Sequence, residues 1–481
     1  MKKILFICCI LCLSLVLVFA NGDADQQPQT QPATRTELQP ETELMKFTEF
    51  YVDSEYHLIA GDYIVDHSIY IGATGKLIID PGTRFFLGKN CGIVCEGKII
   101  AVGTGTKPIE FKASGNARWG SLVIAGQEYD ESQVEYCNFE LSSDMFVGNS
   151  QIYRYFDDDY DPEDLVKVGG AVTLIKTETN LKHCNFSKCN SSRGSAIFVL
   201  CSKVWIESCA FTENMTSDGA VFVSDSHCTL RECNFVDNVS TGNAAAISCK
   251  ESYYRIESEI NKPFVDIWRC NFVNNIAEHH GGAITAIGKI TVDITDSSFV
   301  NNLGGKSCFG GAIASFESIL KVSDSKFVNN VGTLGGAIHV SVHNNPLDWM
   351  KLEIYNSVFE KNKSARGGAV YSGKIPLTIE NSRFVDNEAE DNGGAFVCSE
   401  FITFEIYNTK FVGNKAKLGG AAQIDCNDIT EGLFQKCEFK QNKASESGGA
   451  VSLNLYQTTE EVIAFEDCTF KDNEPNDKSI D

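Results

Sequence analysis

The chain has 481 residues, 43% of them hydrophobic, and a formal net charge of −23. That length supports a large core. That charge makes nucleic acid, heparin-like glycans and polygalacturonate poor partners unless cations bridge the contact.

Lys2 and Lys3 precede an apolar run from Ile4 to Phe19, with Val18 and Ala20 as small residues suited to cleavage after Ala20. Residues 1–20 are expected to be a secretory signal peptide, too short for a membrane span. No later stretch has the apolar length of a transmembrane helix, so none is expected in the mature chain. Residues 21–46, rich in Gln, Pro and Thr and without apolar periodicity, read as a disordered spacer.

A single domain is expected from residue 47 to 475. In its first part, 47–136, phrases such as Ile69-Tyr70-Ile71 and Leu77-Ile78-Ile79, the latter followed by Asp80-Pro81-Gly82, alternate strand and turn signals. From residue 137 to 475 a unit repeats. Gly-Gly-Ala begins at Gly169, Gly281, Gly310, Gly335, Gly367, Gly393, Gly419 and Gly448. Between these copies, Phe211, Phe235, Phe272, Phe299, Phe327, Phe359, Phe384, Phe411, Phe439 and Phe470 are each followed three residues on by Asn.

Two residues before each Phe lies a small slot, as at Cys184, Cys209, Cys233, Ser325, Ser357 and Thr409. Before the slot apolar and polar residues alternate, as in Leu352-Glu353-Ile354. Inward positions on one strand differ by two, yet Ile354 to Ser357 and Phe359 to Asn362 are steps of three, so each hides a bend. Asp324, Asn356, Asn381 and Asn408 mark the first bend. The Gly pair marks a third, where the backbone passes too closely for a Cβ. Three short strands and three corners per unit predict an all-β, right-handed parallel β-helix. Equivalent residues then stack at about 4.8 Å, giving an interior column of Phe rings and a corner ladder of Asn amides.

Of 19 cysteines, Cys8, Cys9 and Cys12 fall in the signal segment; seven of the remainder occupy the slot that other coils fill with Ser or Thr. Parallel Cβ atoms about 4.8 Å apart exceed the separation a disulfide prefers, so these thiols are expected to be unpaired.

The segment from Asp157 to Asp164 reads as a solvated acidic loop, since it lacks the spacing of a helix-loop-helix calcium site. Adjacent His279 and His280 point apart on an extended chain, and His339 and His343 lack helical spacing, so no metal site is assigned. No catalytic or cofactor-binding residue is assigned either. Of five sequons, Asn214, Asn238 and Asn362 belong to the repeat's own Asn and are expected to be inaccessible, leaving Asn185 and Asn190 as plausible glycan sites. Insertions at Tyr253–Phe264 and at His343–Met350, the second containing Trp349, are candidate binding loops; the alternative is that their aromatics pack back on the helix. The short polar tail, 476–481, leaves the last coil as an open strand edge, an invitation to end-to-end self-association.

Gly335-Gly336-Ala337-Ile338 together with Phe327-Val328-Asn329-Asn330, repeated in tandem, resembles the passenger repeats of the chlamydial polymorphic membrane protein family. The resemblance covers roughly residues 137–475 and implies a secreted or surface-exposed, adhesin-like β-helix. That family closes with a membrane barrel and a terminal aromatic residue, whereas Lys478-Ser479-Ile480-Asp481 follows the last repeat here, so self-translocation and anchoring are not carried over.

The expected function is a non-catalytic binding or structural scaffold, with an unknown extracellular protein or glycan as partner. The alternative is a polysaccharide lyase or hydrolase of the same fold. Against it, Arg255-Ile256-Glu257 is the nearest match to the Arg-Ile-Lys signature of galacturonan hydrolases, and no pair of carboxylates recurs across neighbouring coils.

Overall fold

The protein is represented by a computed structural model that describes residues 44–126, 132–147, 166–251, 262–305, 309–342, 349–399, 403–426, 431–455 and 463–480. The expected signal peptide, nearly all of the spacer and the acidic loop from Asp157 to Asp164 lie outside them. The chain divides into residues 1–42 and 43–481, and the described residues belong to the second unit.

Each coil but the last contributes one strand to each of three long sheets, of 16, 16 and 15 strands, in strict chain order and in parallel. The described residues contain no helix. This is a right-handed parallel β-helix, the hand that parallel crossovers adopt. The first sheet carries the Phe residues, the second follows the Gly pair, and the third carries the alternating segments, with Leu352, Ile354, Leu377 and Ile379 turned into the core. The second sheet is also covered on part of its outer face, where Val94, Val123, Met145, Phe198 and Phe222 form a separate apolar cluster.

The corners fall where parity requires. Asp324, Asn356, Asn381 and Asn408 have φ between 44° and 52°, but Arg269 (52°) and Lys436 (56°) do the same elsewhere. The bend therefore demands a left-handed backbone at roughly 1–2 kcal/mol rather than one residue type. A second left-handed residue, such as Asn329, Lys361 or Asp386, stands between Phe and Asn. At the third corner Gly335 has φ 69°, and a Cβ on Gly336 would lie 2.1 Å from the Gly368 carbonyl oxygen.

Three strands per coil is incomplete for the repeats. After each Asn the chain runs extended to the Gly pair and pairs with its neighbours, forming a fourth, narrow corner ladder of five and then four strands, joined through bridges at Val331.

Inside, Phe rings from Phe85 to Phe470 stack without interruption at 4.4–5.2 Å between centroids. The column thus crosses residue 137, and Phe85 and Phe111 make the opening coils part of the same core. The Asn amides form the expected ladder: from Asn214 to Asn473 each Nδ2 donates to the next coil's Oδ1 at 2.9–3.1 Å. The slot is a third ladder. The Ser325 amide donates to Ser357 Oγ at 3.1 Å, while Ser325 Oγ donates to the Ser323 carbonyl at 2.7 Å. Only a small side chain that both donates and accepts fits there, which selects Ser, Thr and Cys.

Cys184, Cys209 and Cys233, neighbours in the slot, carry free thiols. Burial pushes the Cys184 thiol well above its ordinary range, leaving little thiolate to react. Mass spectrometry of alkylated, unreduced protein is expected to find these three unbridged. Quantitative Cys184–Cys209 or Cys209–Cys233 bridges would overturn the slot explanation.

Strands occupy both expected flanks. Met45–Lys46 opens the first sheet. Lys478–Ile480, part of the polar tail expected to leave the last coil an open edge, pairs with Val451–Leu453 as a further strand of the second sheet. Lys478 Nζ sits 3.7 Å from the Phe465 ring centroid and 4.7 Å from that of Phe470, a cation over the last aromatic faces.

Candidate binding surface

Alternation along the third sheet turns every second residue to solvent, and parallel register stacks those residues into rows. One row runs Trp205, Thr229, Asp266, Asp293. The row beside it runs Arg231, Trp268, Thr295. Trp205 is 38% exposed despite its size. The Arg269 guanidinium lies 4.0 Å from the Trp268 ring centroid and that of Arg231 6.0 Å away. Arg269 is held in turn by Asp296 at 2.9 Å. The result is a rigid face with two indoles, fixed cations and short polar side chains between them.

Asp266 and Asp293 are directly paired neighbours on this face. Partial burial raises both carboxyls above their usual range. The Asp293 charge adds to the effect on Asp266, with Arg231 opposing. For Asp293, Lys321 opposes and Glu353 adds. This corrects the expectation that no carboxylate pair spans neighbouring coils. The signal was present in Val265-Asp266-Ile267 and Val292-Asp293-Ile294, but the insertion before Phe264 obscured the register.

The candidate histidines separate into two environments. His279 is exposed, while His280 is half-buried and stacks on Phe309 at 5.0 Å, which stacks on His339 at 4.6 Å, which stacks on Tyr371 at 5.2 Å. His280 and His339 share a column on the outer face of the second sheet, but a phenyl ring separates them. Among the described residues no group of three His, Cys, Asp or Glu converges as a metal centre would. His343 lies outside the described residues.

Burial, with the nearby His280 adding to it, holds His339 at a pKa of about 3. The ring stays neutral in the fold but would ionise near 6.5 once unfolded. Stability is therefore full above 6.5 and drains away as pH falls, by about 2 kcal/mol at pH 5. His339→Gln places there a side chain that Gln423 already brings to the same row. Relative to the parent, the variant is expected to gain about 2 kcal/mol between pH 8 and pH 5 in denaturant titrations. A difference that does not change with pH would refute this.

Asn214, Asn238 and Asn362 are buried in the ladder, while Asn185 is exposed and Asn190 half-buried. Of the two insertions, Phe264 stands half-buried between His227 and Thr291 on the third sheet, and residues 252–261 lie outside the described set. Trp349 packs against the core and Met350 is buried, so the described end of the second insertion folds back on the helix. No described helix is long and apolar enough to cross a membrane.

No family model matches the chain, and no curated protein matches it. The β-helix stands on strand order and register, and no matched family or relative supports the resemblance to the polymorphic membrane proteins.

Proposed function

We propose that this protein is a secreted or cell-surface, adhesin-like scaffold that binds an extracellular glycan through the outer face of its third sheet. The observation that carries the reading is the placement of Trp205 and Trp268 on rigid strands, with Thr229, Asp266 and Arg231 between and beside them. Indole faces stack on sugar rings and the intervening polar groups fix their hydroxyls. The Lys2–Ala20 segment supports export, and the acidic charge favours neutral over polyanionic glycans. The tandem motifs support the same kind of role through the polymorphic membrane protein resemblance.

Residues 21–481 should therefore bind neutral glycans on an array and on intact cells. Trp205→Ala with Trp268→Ala is expected to weaken that binding by at least about tenfold while leaving circular dichroism unchanged. Binding that ignores both substitutions would reject this face.

One observation favours a second reading, polysaccharide cleavage. Paired residues on adjacent strands stand about 4.8 Å apart at the backbone, and retaining glycosidases hold their carboxyl groups about 5–5.5 Å apart. Product release from the same glycan panel, abolished separately by Asp266→Asn and Asp293→Asn, would select that reading over binding alone.

A further inference from the structure

The residue after each ladder Asn faces outward on the corner ladder. In five consecutive coils it is Met215, Val239, Ile276, Leu303 and Val331, stacked in register and 49, 38, 40, 39 and 38% exposed. In the next five it is Lys363, Glu388, Lys415, Lys443 and Glu474, with Lys363–Glu388 and Lys443–Glu474 ion pairs at 3.0 and 3.1 Å. The fold thus accepts charge at this position, and the apolar run answers no packing demand. Around the corner, half-buried Val236, Val273, Val300 and Val328 form a parallel apolar row on the Phe sheet. Between the two rows the Asn274 and Asn301 amides run up to the Asp237 carboxylate, Asn274 donating to Asp237 at 3.0 Å and Asn301 to Asn274 at 3.3 Å.

The stripe's geometry selects its occupant. Its amide groups are already spent on neighbouring coils, as in Ile276 N–H to the Asn238 carbonyl at 3.0 Å and Leu303 N–H to that of Asn275 at 2.9 Å, so a partner strand finds no free edge. The side chains are aliphatic, which removes the ring stacking a glycan would use. Four steps of about 4.8 Å make it about 19 Å long and one or two residues wide. That footprint is far below the roughly 800 Å² per partner of a stable globular interface, so a second copy of this chain is a poor fit. It does match the seam of an amphipathic helix, whose four turns span about 21 Å. Exposed Glu213, Asp237 and Glu278 flank the stripe and favour basic residues beside that seam.

We propose that the Met215–Val331 stripe docks an amphipathic, basic-flanked helix of a partner protein, at a site separate from the Trp205–Trp268 face. The probe is a helix-stapled peptide of Leu and Lys with one Leu seam, compared with a stapled peptide of the same composition and scrambled order, both read by fluorescence anisotropy against residues 21–481. The seam peptide is expected to bind at least about tenfold more tightly than the scrambled one. Ile276→Lys with Leu303→Glu, which copies the charges the same row already carries at Lys363 and Glu388, is expected to abolish that preference with circular dichroism unchanged. Equal binding of the two peptides, or a preference that survives the double substitution, overturns the proposal. Loss of a concentration-dependent dimer in the same variant would assign the stripe to a second copy, and equal retention on uncharged phospholipid vesicles would assign it to lipid; either result also overturns it. The Trp205→Ala, Trp268→Ala protein should keep the peptide preference, which separates this test from that of the glycan face.

Discussion

Asn362→Ala is expected to cost about 3 to 6 kcal/mol of local stability. The Asn362 Oδ1 accepts from the Asn330 amide N–H and from its Nδ2, both at 3.0 Å. Its own Nδ2 donates to the Phe327 carbonyl and to Asn387 Oδ1, both at 3.0 Å. All of these groups are buried, so truncation strands a backbone donor, a backbone acceptor and parts of two amides where water does not reach. Each unpaired group costs about 1 to 3 kcal/mol. Hydrogen exchange at the Asn330 amide should accelerate by a factor matching the loss, while amides several coils away keep their protection. Lys363→Ala, one residue on and exposed, should fall within about 0.5 kcal/mol of the parent. An Asn330 amide as protected in the variant as in the parent would show that the ladder carries no net stability.

Phe327→Ala should cost about 3 to 5 kcal/mol, from lost burial and from the cavity left in the ring column. Phe327 is fully buried, with Phe299 at 4.6 Å and Phe359 at 4.8 Å and ring planes within 4° of parallel. Its neighbours are pinned by backbone pairing on both sides and cannot close the gap. Strand content should persist, because each coil contacts only its neighbours and a solenoid tolerates one weak unit. Urea unfolding of Phe327→Ala beside Phe327→Leu, expected to lose less than about 1.5 kcal/mol, separates cavity formation from loss of aromatic contact. A Phe327→Ala cost below about 1 kcal/mol would mean that stacking and burial are far weaker than the column geometry implies.

The elements that could be read from the sequence are those whose spatial neighbour is the same residue one coil away. Phe stacks on Phe, Asn bonds to Asn, and Ser, Thr or Cys follow one another in the slot, so repetition along the chain is contact in space. Contacts that do not recur from coil to coil were hidden. Asp266 beside Asp293 and His280–Phe309–His339 depend on register across coils of unequal length, and register becomes visible only when the loops are placed. The corner ladder escaped for a related reason. Its outward position after the Asn is aliphatic in five coils and charged in the next five, so no conserved letter marks a strand there. Lys478 over Phe465 and Phe470 gave no pattern at all, because a cation above a ring is a tertiary accident of the chain's return.

The Asn ladder also has a direction. Each coil's main-chain N–H and one N–H of its side-chain amide point toward the coil that follows, whose side-chain oxygen receives both, as Asn387 does for Asn362 at 3.0 Å each; the other amide N–H goes back to the preceding coil's Phe carbonyl. A coil just formed therefore lacks acceptors for two donors until its successor folds, and it never waits on its predecessor for them. A chain delivered N-terminus first grows from a template that asks always for the same next piece. A whole unit can also be duplicated or deleted in the middle without reversing a single bond.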